Sequence, residues 1–191
     1  MQLNKLSKIL KEEFAPVYSD MTGQFPVEEL KTYEHFLKYF DNDNYCFYMA
    51  DDIGYILFAN IDNYIWVDYL AVFEKYRSMG FGSKILDLIK KEFKNYNGIF
   101  FEVEKVDENK INTIKRKNFY IKNDVYPIDN IEYYYPNNEG GLLMDLYYHG
   151  INNKNPDKDI IKKVIYDVFK TIHFDLDDVD KIYSKIKFKG E

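Results

Sequence analysis

Cysteine is nearly absent. One residue, Cys46, stands in a chain of 191, so neither an internal disulfide nor a cysteine-built zinc cluster can form. Histidine is scarce as well, and His35, His149 and His173 lie too far apart to make a metal-binding spacing. No apolar run reaches the roughly 18 residues that a membrane-spanning helix needs. Positive charge is in deficit, with Lys+Arg 26 against Asp+Glu 32 and a net charge of -6 at pH 7. Such a chain is repelled by a phosphate backbone, which makes nucleic acid a poor partner. The first residues, Met1 to Phe14, alternate apolar and charged positions as an amphipathic segment does and lack the layout of a secretory leader, so the expected location is cytoplasmic.

What the chain does have is aromatic side chains, 19 Tyr and 15 Phe. Disordered chains are poor in aromatics, and with 46% hydrophobic residues this one can build a full core. Its length suits one ordinary domain or one domain with a helical appendage. We expect a domain over residues 1–149 and a helical extension over 150–191 packed on it.

Periodicity supplies the elements. Leu3, Leu6, Ile9, Leu10 and Phe14 fall at helical spacing, which predicts a first helix over Leu3 to Phe14 and a loop through Pro16, Thr22 and Gly23. A second helix is expected from Val27 to Phe40, with Pro26 at its start. Tyr45 to Ala50, Gly54 to Asn60 and Tyr64 to Val72 read as an antiparallel meander, separated by the short polar pairs Asp51-Asp52 and Asp62-Asn63. From Gly80 the period returns to 3.6, giving a helix that ends near Asn97-Gly98. A strand Ile99 to Val103, a helix Glu108 to Asn118 and aromatic strands at Phe119 to Tyr126, Ile131 to Tyr135 and Leu142 to Tyr148 follow. Asp157 to Ile172 and Leu176 to Ile186 read as two closing helices. The expected class is α+β, with a mixed, mostly antiparallel sheet flanked by helices and a helical C-terminal extension.

The stretch between strand Tyr64–Val72 and the helix after it carries the chemistry. It reads Leu70-Ala71-Val72-Phe73-Glu74-Lys75-Tyr76-Arg77-Ser78-Met79-Gly80-Phe81-Gly82-Ser83. Two glycines at i and i+2 allow a tight turn and a close approach to the backbone. Successive N–H groups at a helix N-terminus converge on an anion, helped by the helix dipole. A plain strand-to-helix connection would need the same glycines. A nucleotide triphosphate is disfavoured, because no Gly-Lys-Ser/Thr follows and no paired metal carboxylates are in view.

Arg77-x-x-Gly80-x-Gly82 after Leu70-Ala71-Val72 resembles the acyl-CoA-binding motif of the GCN5-related N-acetyltransferase (GNAT) family, and the order of elements over about residues 3 to 148 is similar to that family's. The resemblance implies acetyl-CoA as co-substrate and an amine, small rather than protein-borne, as acceptor, joined by direct attack in a ternary complex. It implies pantetheine and thioester contacts at Leu70, Ala71 and Val72. The pyrophosphate would be held by the backbone of Arg77, Ser78, Met79, Gly80, Phe81, Gly82 and Ser83, with no metal. Phe119-Tyr120-Ile121-Lys122-Asn123-Asp124-Val125 matches in register the family's tyrosine motif, which puts the general acid at Tyr120, although Asp124-Val125 replaces Gly-Phe. Thr113 stands where many members have a CoA-contacting Asn. For the base, Glu102 and Glu104 alternate on one strand and should share a face, and Asp68 is a second candidate. Pairing of two copies stays open. So does a non-catalytic acyl-CoA-binding regulatory or interaction protein on the same fold.

Overall fold

The structure, a computed structural model, describes residues 5–189. It falls into two compact units. The first holds the described residues up to Asn60 together with Val67–Lys94, and the second holds Ile61–Trp66 and the described residues from Asn95 onward. In each, a mostly antiparallel sheet is flanked by helices, so the class is the expected α+β.

In the first unit β1 (Leu6–Lys8), β2 (Tyr45–Ala50), β3 (Gly54–Ile61) and β4 (Tyr64–Val72) lie in that order. β1 pairs antiparallel with β2 from Leu6↔Ala50 to Lys8↔Tyr48, and β2 with β3 from Tyr45↔Ala59 to Ala50↔Gly54. Helices α1 (Phe14–Gln24), α2 (Tyr33–Tyr39) and α3 (Phe81–Glu92) complete it. α1 buries Phe14, Val17 and Met21, an i, i+3, i+7 stripe. Phe14 is the centre of an aromatic cluster, with ring centroids 5.3 Å from Phe36 and 5.2 Å from Phe47. Burial of each such ring stabilises the fold by roughly 1.5–3 kcal/mol. Gly54 is needed for a close approach, since a Cβ there would stand 2.3 Å from the Ala71 carbonyl oxygen on β4.

The second unit begins inside the β3–β4 hairpin. Asp62 and Asn63, both at positive φ (50° and 63°), make the two-residue turn that suits the twist of a hairpin. β5 (Gly98–Glu104) pairs antiparallel with β8 (Leu142–Gly150) from Gly98↔Gly150 to Glu104↔Met144. β7 (Ile131–Tyr135) lies on the other side of β8, and the two-residue β6 (Tyr126–Pro127) also pairs with β8. α4 (Ile111–Lys122), α5 (Lys158–Ile172) and α6 (Val179–Tyr183) are its helices. α5 is capped by Asp157, whose side chain accepts from the Ile160 amide, and it buries Ile161, Val164, Ile165, Val168, Phe169 and Ile172.

Five expectations change. The helix read over Leu3 to Phe14 is strand β1 and a 3-10 turn at Lys11–Glu13, with Leu3 outside the described residues. Ile9 is buried and its amide donates to the Phe47 carbonyl, so β2 recruits this segment as an edge. The helix itself lies where a loop was expected, because Pro16 sits in its first turn, where no hydrogen bond is lost. The second helix shortens to Tyr33–Tyr39, since Val27 to Leu30 close a single turn on the Pro26 carbonyl. Phe119 to Lys122 are helical and not strand, because α4 turns Tyr120 inward. After α6 the chain adds β9 (Lys187–Phe188) to β7, so the C-terminal segment is not helical throughout.

Candidate functional site

In the first unit the chain leaves β4 at Val72, makes a 3-10 turn at Glu74–Tyr76 and enters α3 at Phe81. Leu70 and Val72 are half-buried and Ala71 is buried, while Arg77, Ser78, Met79 and Gly80 are exposed. Ser78 (φ 63°) and Gly80 (φ 80°) both take the left-handed conformation. Gly80 is the N-cap of α3 and no side chain caps this end of the helix. A Cβ at Gly80 would meet nothing within 4 Å, so the glycine serves the backbone angle and the space above it is open. The first-turn amides of Phe81, Gly82 and Ser83 have no partner four residues back within the helix. With the helix dipole behind them they form a place for an anion. The backbone thus fits a pyrophosphate without any side chain.

Side chains gather at the β4 end of this loop. The Val72 carbonyl accepts long hydrogen bonds from Gln24 Nε2 and Arg77 Nε, each at 3.4 Å. The same Gln24 nitrogen donates to Asp20 Oδ2, which also accepts from the Tyr55 hydroxyl at 2.9 Å. Burial and the Asp20 carboxylate push the Tyr55 phenol far above its usual range, so it remains a donor. Further along β4, Asp68 accepts from the Tyr45 hydroxyl at 2.5 Å. Burial pushes the Asp68 carboxyl up, with the Lys31 charge and the Tyr45 hydrogen bond opposing it. The Tyr69 hydroxyl donates to the Glu29 carbonyl at 2.6 Å and its ring lies edge-on to Phe25, which fixes the Phe25–Glu29 segment against β4.

The other expected side chains are in the second unit. Tyr120 lies on the inner face of α4, 9% exposed, with its ring 5.2 Å from Phe101 and 5.7 Å from Tyr147. Burial pushes its phenol up to about 12, against the nearby Arg116 charge. Glu102 and Glu104 share a face of β5, half-buried, opposite the buried Phe101 and Val103. Glu102 accepts from Trp66 Nε1 at 3.2 Å and from the Tyr133 hydroxyl, and Glu104 pairs with Arg116. Tyr120 packs on the Phe101 side, so it and Glu102 stand on opposite faces of β5. Thr113 is buried and staples the start of α4, bonded to the backbone of Asp107 and Lys110. Asp124 (φ 59°) takes the left-handed position after α4 and the Val125 amide closes on the Tyr120 carbonyl, so the turn is built as a glycine would build it. Among the described residues no group of three or more His, Cys, Asp or Glu could hold a metal ion, and no helix is long and apolar enough to cross a membrane.

Sequence reasoning missed Asp20, Gln24 and Tyr55. Asp20 and Gln24 are four residues apart, one helical turn, but that signal is invisible until Pro16–Gly23 is recognised as helix.

Residues 5–119, more than half of the chain, match the model of the acetyltransferase (GNAT) family. The chain belongs to that family. The Leu70–Ser83 segment and Glu102 lie inside the GNAT match, whereas Tyr120 lies one residue beyond it. The YjbC protein of Bacillus subtilis (strain 168), provisionally named an acetyltransferase, is 36% identical over 104 residues. That alignment takes in 54% of this chain and spans about half of YjbC (53%). A solved protein from Bacteroides thetaiotaomicron, provisionally assigned to the GNAT acetyltransferases, superposes with a TM-score of 0.74 at 25% identity, over 91% of this chain and 99% of that one. Naa50 of Arabidopsis thaliana, solved with the bisubstrate analogue CoA-Ac-MVNAL, has a TM-score of 0.55 at 18% identity, over 76% of this chain and 97% of its own. That likeness is one of GNAT fold.

Proposed function

We propose that the chain is an N-acetyltransferase that takes its acyl group from acetyl-CoA and passes it to the amino group of a small acceptor. The observation that carries this reading is the open N-terminus of α3, with Ser78 and Gly80 left-handed and no side-chain cap, directly after the end of β4. Acetyl-CoA supplies an activated thioester. The backbone of Arg77 to Ser83 holds its pyrophosphate, and Leu70, Ala71 and Val72 align the pantetheine arm along β4. Holding both reactants in register supplies much of the rate.

The amine nitrogen bonds to the thioester carbonyl carbon and the carbon–sulfur bond breaks. One proton leaves the amine and one is given to the departing thiolate. Tyr120 is suited to the second task, since a phenol raised to about 12 is protonated throughout the neutral range. Glu102 is the proposed base, acting through water, with its carboxylate oriented by Trp66 and Tyr133. The placement of Tyr120 and Glu102 on opposite faces of β5 favours a second reading, a regulatory protein that binds acyl-CoA without turnover.

Thermal unfolding with acetyl-CoA, with ATP as the control, tests the donor site. At about 100 times the dissociation constant a ligand stabilises the native state by roughly 2.7 kcal/mol, a rise of about 5–10 °C for a chain of this length. A rise with acetyl-CoA and not with ATP supports the donor site, and CoA release on adding amines separates enzyme from regulator. No rise with either leaves the glycine loop as a structural turn.

A further inference from the structure

We propose that the second unit holds a separate ligand site, in the cavity where the C-terminal segment meets the edge of the sheet, and that its ligand is a small aromatic zwitterion of the free amino-acid class. The cavity has a volume of about 430 Å³, the size of a small-molecule site. Tyr126 and Pro127 on β6 and Tyr148 near the end of β8 line it from the sheet, and Lys154, Pro156 and Ile161 from the segment that follows. It lies at the Gly98↔Gly150 end of the β5–β8 ladder, four residues and about 13 Å along the strand from Glu102.

The walls are fixed before any ligand arrives. The Tyr148 hydroxyl donates to the Asn153 carbonyl at 2.6 Å and stands 3.3 Å from that of Asn97. The amides of Ile151, Asn152 and Asn153 converge on the same Asn97 carbonyl, which ties the segment after β8 to the start of β5. Gly98 makes room for this arrangement, since a Cβ there would collide with the Tyr148 hydroxyl. A cavity walled in this way keeps its shape when empty, so binding bears little ordering cost.

The lining also states the charge of the ligand. Lys154 Nζ donates to the Gly150 carbonyl at 2.8 Å, and the Asp124 carboxylate receives only a long contact, 3.4 Å, from the Tyr126 hydroxyl. Neither has an ion-pair partner among the described residues. His149 turns Nδ1 to the Asp124 main-chain carbonyl at 2.7 Å, and a carbonyl only accepts, so that nitrogen is the donor. The tyrosine, proline and isoleucine side chains make the rest of the wall apolar, and the Tyr126 ring is 52% exposed. A lone anion would be repelled by Asp124 and a lone cation by Lys154. One charge of each sign beside a flat ring complements both. A free aromatic amino acid has both charges, whereas a residue at a peptide terminus keeps one.

Fluorine NMR of the full chain at neutral pH, without acetyl-CoA, reads binding of three probes that share one ring: 4-fluoro-L-phenylalanine, the cation 4-fluorophenethylamine and the anion 3-(4-fluorophenyl)propionate. The amino acid should bind with a Kd of about 1 mM or tighter. Each analogue should bind about two- to fivefold more weakly, the scale of an exposed ion pair. Lys154→Gln should weaken the amino acid by about the same factor and leave the cation no weaker. Tyr126→Ala should weaken all three probes about five- to tenfold through loss of the ring. Both side chains are exposed, so both variants should fold. No binding of the amino acid by about 10 mM would overturn the site. Equal affinity for the three probes would overturn the zwitterion. Affinity unchanged in either variant would put the probe elsewhere on the protein and overturn the assignment to this cavity.

Discussion

The two units place their candidate chemistry by different means. In the first, Arg77 to Gly80 are exposed and the proposed donor site would act through the main-chain N–H groups of Arg77 to Ser83, with left-handed Ser78 and Gly80 turning the backbone into α3. In the second, the proposed roles of Tyr120 and Glu102 rest on their side chains, and neighbours decide what each can do. Phe101 and Tyr147 bury the phenol of Tyr120, while Trp66 and Tyr133 hold the carboxylate of Glu102. A backbone site survives most substitutions except those at its special angles. A side-chain site is lost with one atom. That contrast gives the sharpest expectations.

The largest effect should come from the second unit. Tyr120→Phe removes one oxygen from a packed ring, and if Tyr120 is the acid, kcat for CoA release should fall about 10²-fold or more. The acetyl-CoA thermal shift should persist. Unchanged kcat would strip Tyr120 of the role and leave it a core tyrosine. The pH dependence sharpens this. The acid form is the protonated one and its folded pKa is about 12, so the rate should show no falling limb from Tyr120 between pH 8 and 10. A phenol at the ordinary value near 10 would halve the rate at pH 10. Stability has the matching sign. The folded pKa is raised, so the contribution is complete below pH 10 and is lost as pH climbs toward 12. Denaturation of the wild type and of Tyr120→Phe at pH 7 and 11 should show the extra decline only in the wild type.

This contrast also explains what could be read in advance. The β2–β3–β4 meander was legible because aromatic and β-branched residues fill it and short Asp/Asn turns bound it. The loop after Val72 was legible because glycine at i and i+2 is a backbone signal that needs no knowledge of neighbours. Glu102 and Glu104 were rightly placed on one face of β5 by alternation alone. The partners of Glu102 were not legible, since Trp66 and Tyr133 reach it from 36 and 31 residues away. Nor was α1, whose Pro, Thr and Gly suggested a loop until burial of Phe14, Val17 and Met21 supplied the helix. With α1 hidden, Asp20 and Gln24 had no reason to be paired. The edge strand β1 failed for the opposite reason, because its apolar spacing suits a helix but β2 offers it backbone partners.

In the first unit the expected effect is smaller and of another kind. Gly80→Ala places a Cβ on a residue at φ 80°, which costs about 1–2 kcal/mol in the left-handed region. Melting should drop by about 2–8 °C without ligand. The space there is open, so sterics alone would spare the fold. The informative readout is the acetyl-CoA shift, which should shrink as the turn relaxes away from the angle that aims the α3 amides. A full shift in Gly80→Ala would show that side chains, Arg77 foremost, hold the donor after all, and the contrast between the two units would collapse.

The smallest expected effect tests whether a backbone rule also operates in the second unit. Asp124 occupies a left-handed position at the end of α4, with its amide on the Ile121 carbonyl and the Val125 amide on that of Tyr120. Aspartate tolerates this angle better than most residues but still pays for its Cβ. Asp124→Gly should relieve that strain, offset in part by the greater freedom of glycine in the unfolded chain. The net expectation is a gain of about 1 kcal/mol or less, a rise in melting of no more than about 4 °C. Turnover should be unaffected, because Tyr120 keeps the same helical turn beneath it. A loss of stability would mean that the Asp124 side chain earns its place, through the long contact from the Tyr126 hydroxyl, more than the angle costs. Altered turnover would tie the α4 terminus to the positioning of Tyr120 itself.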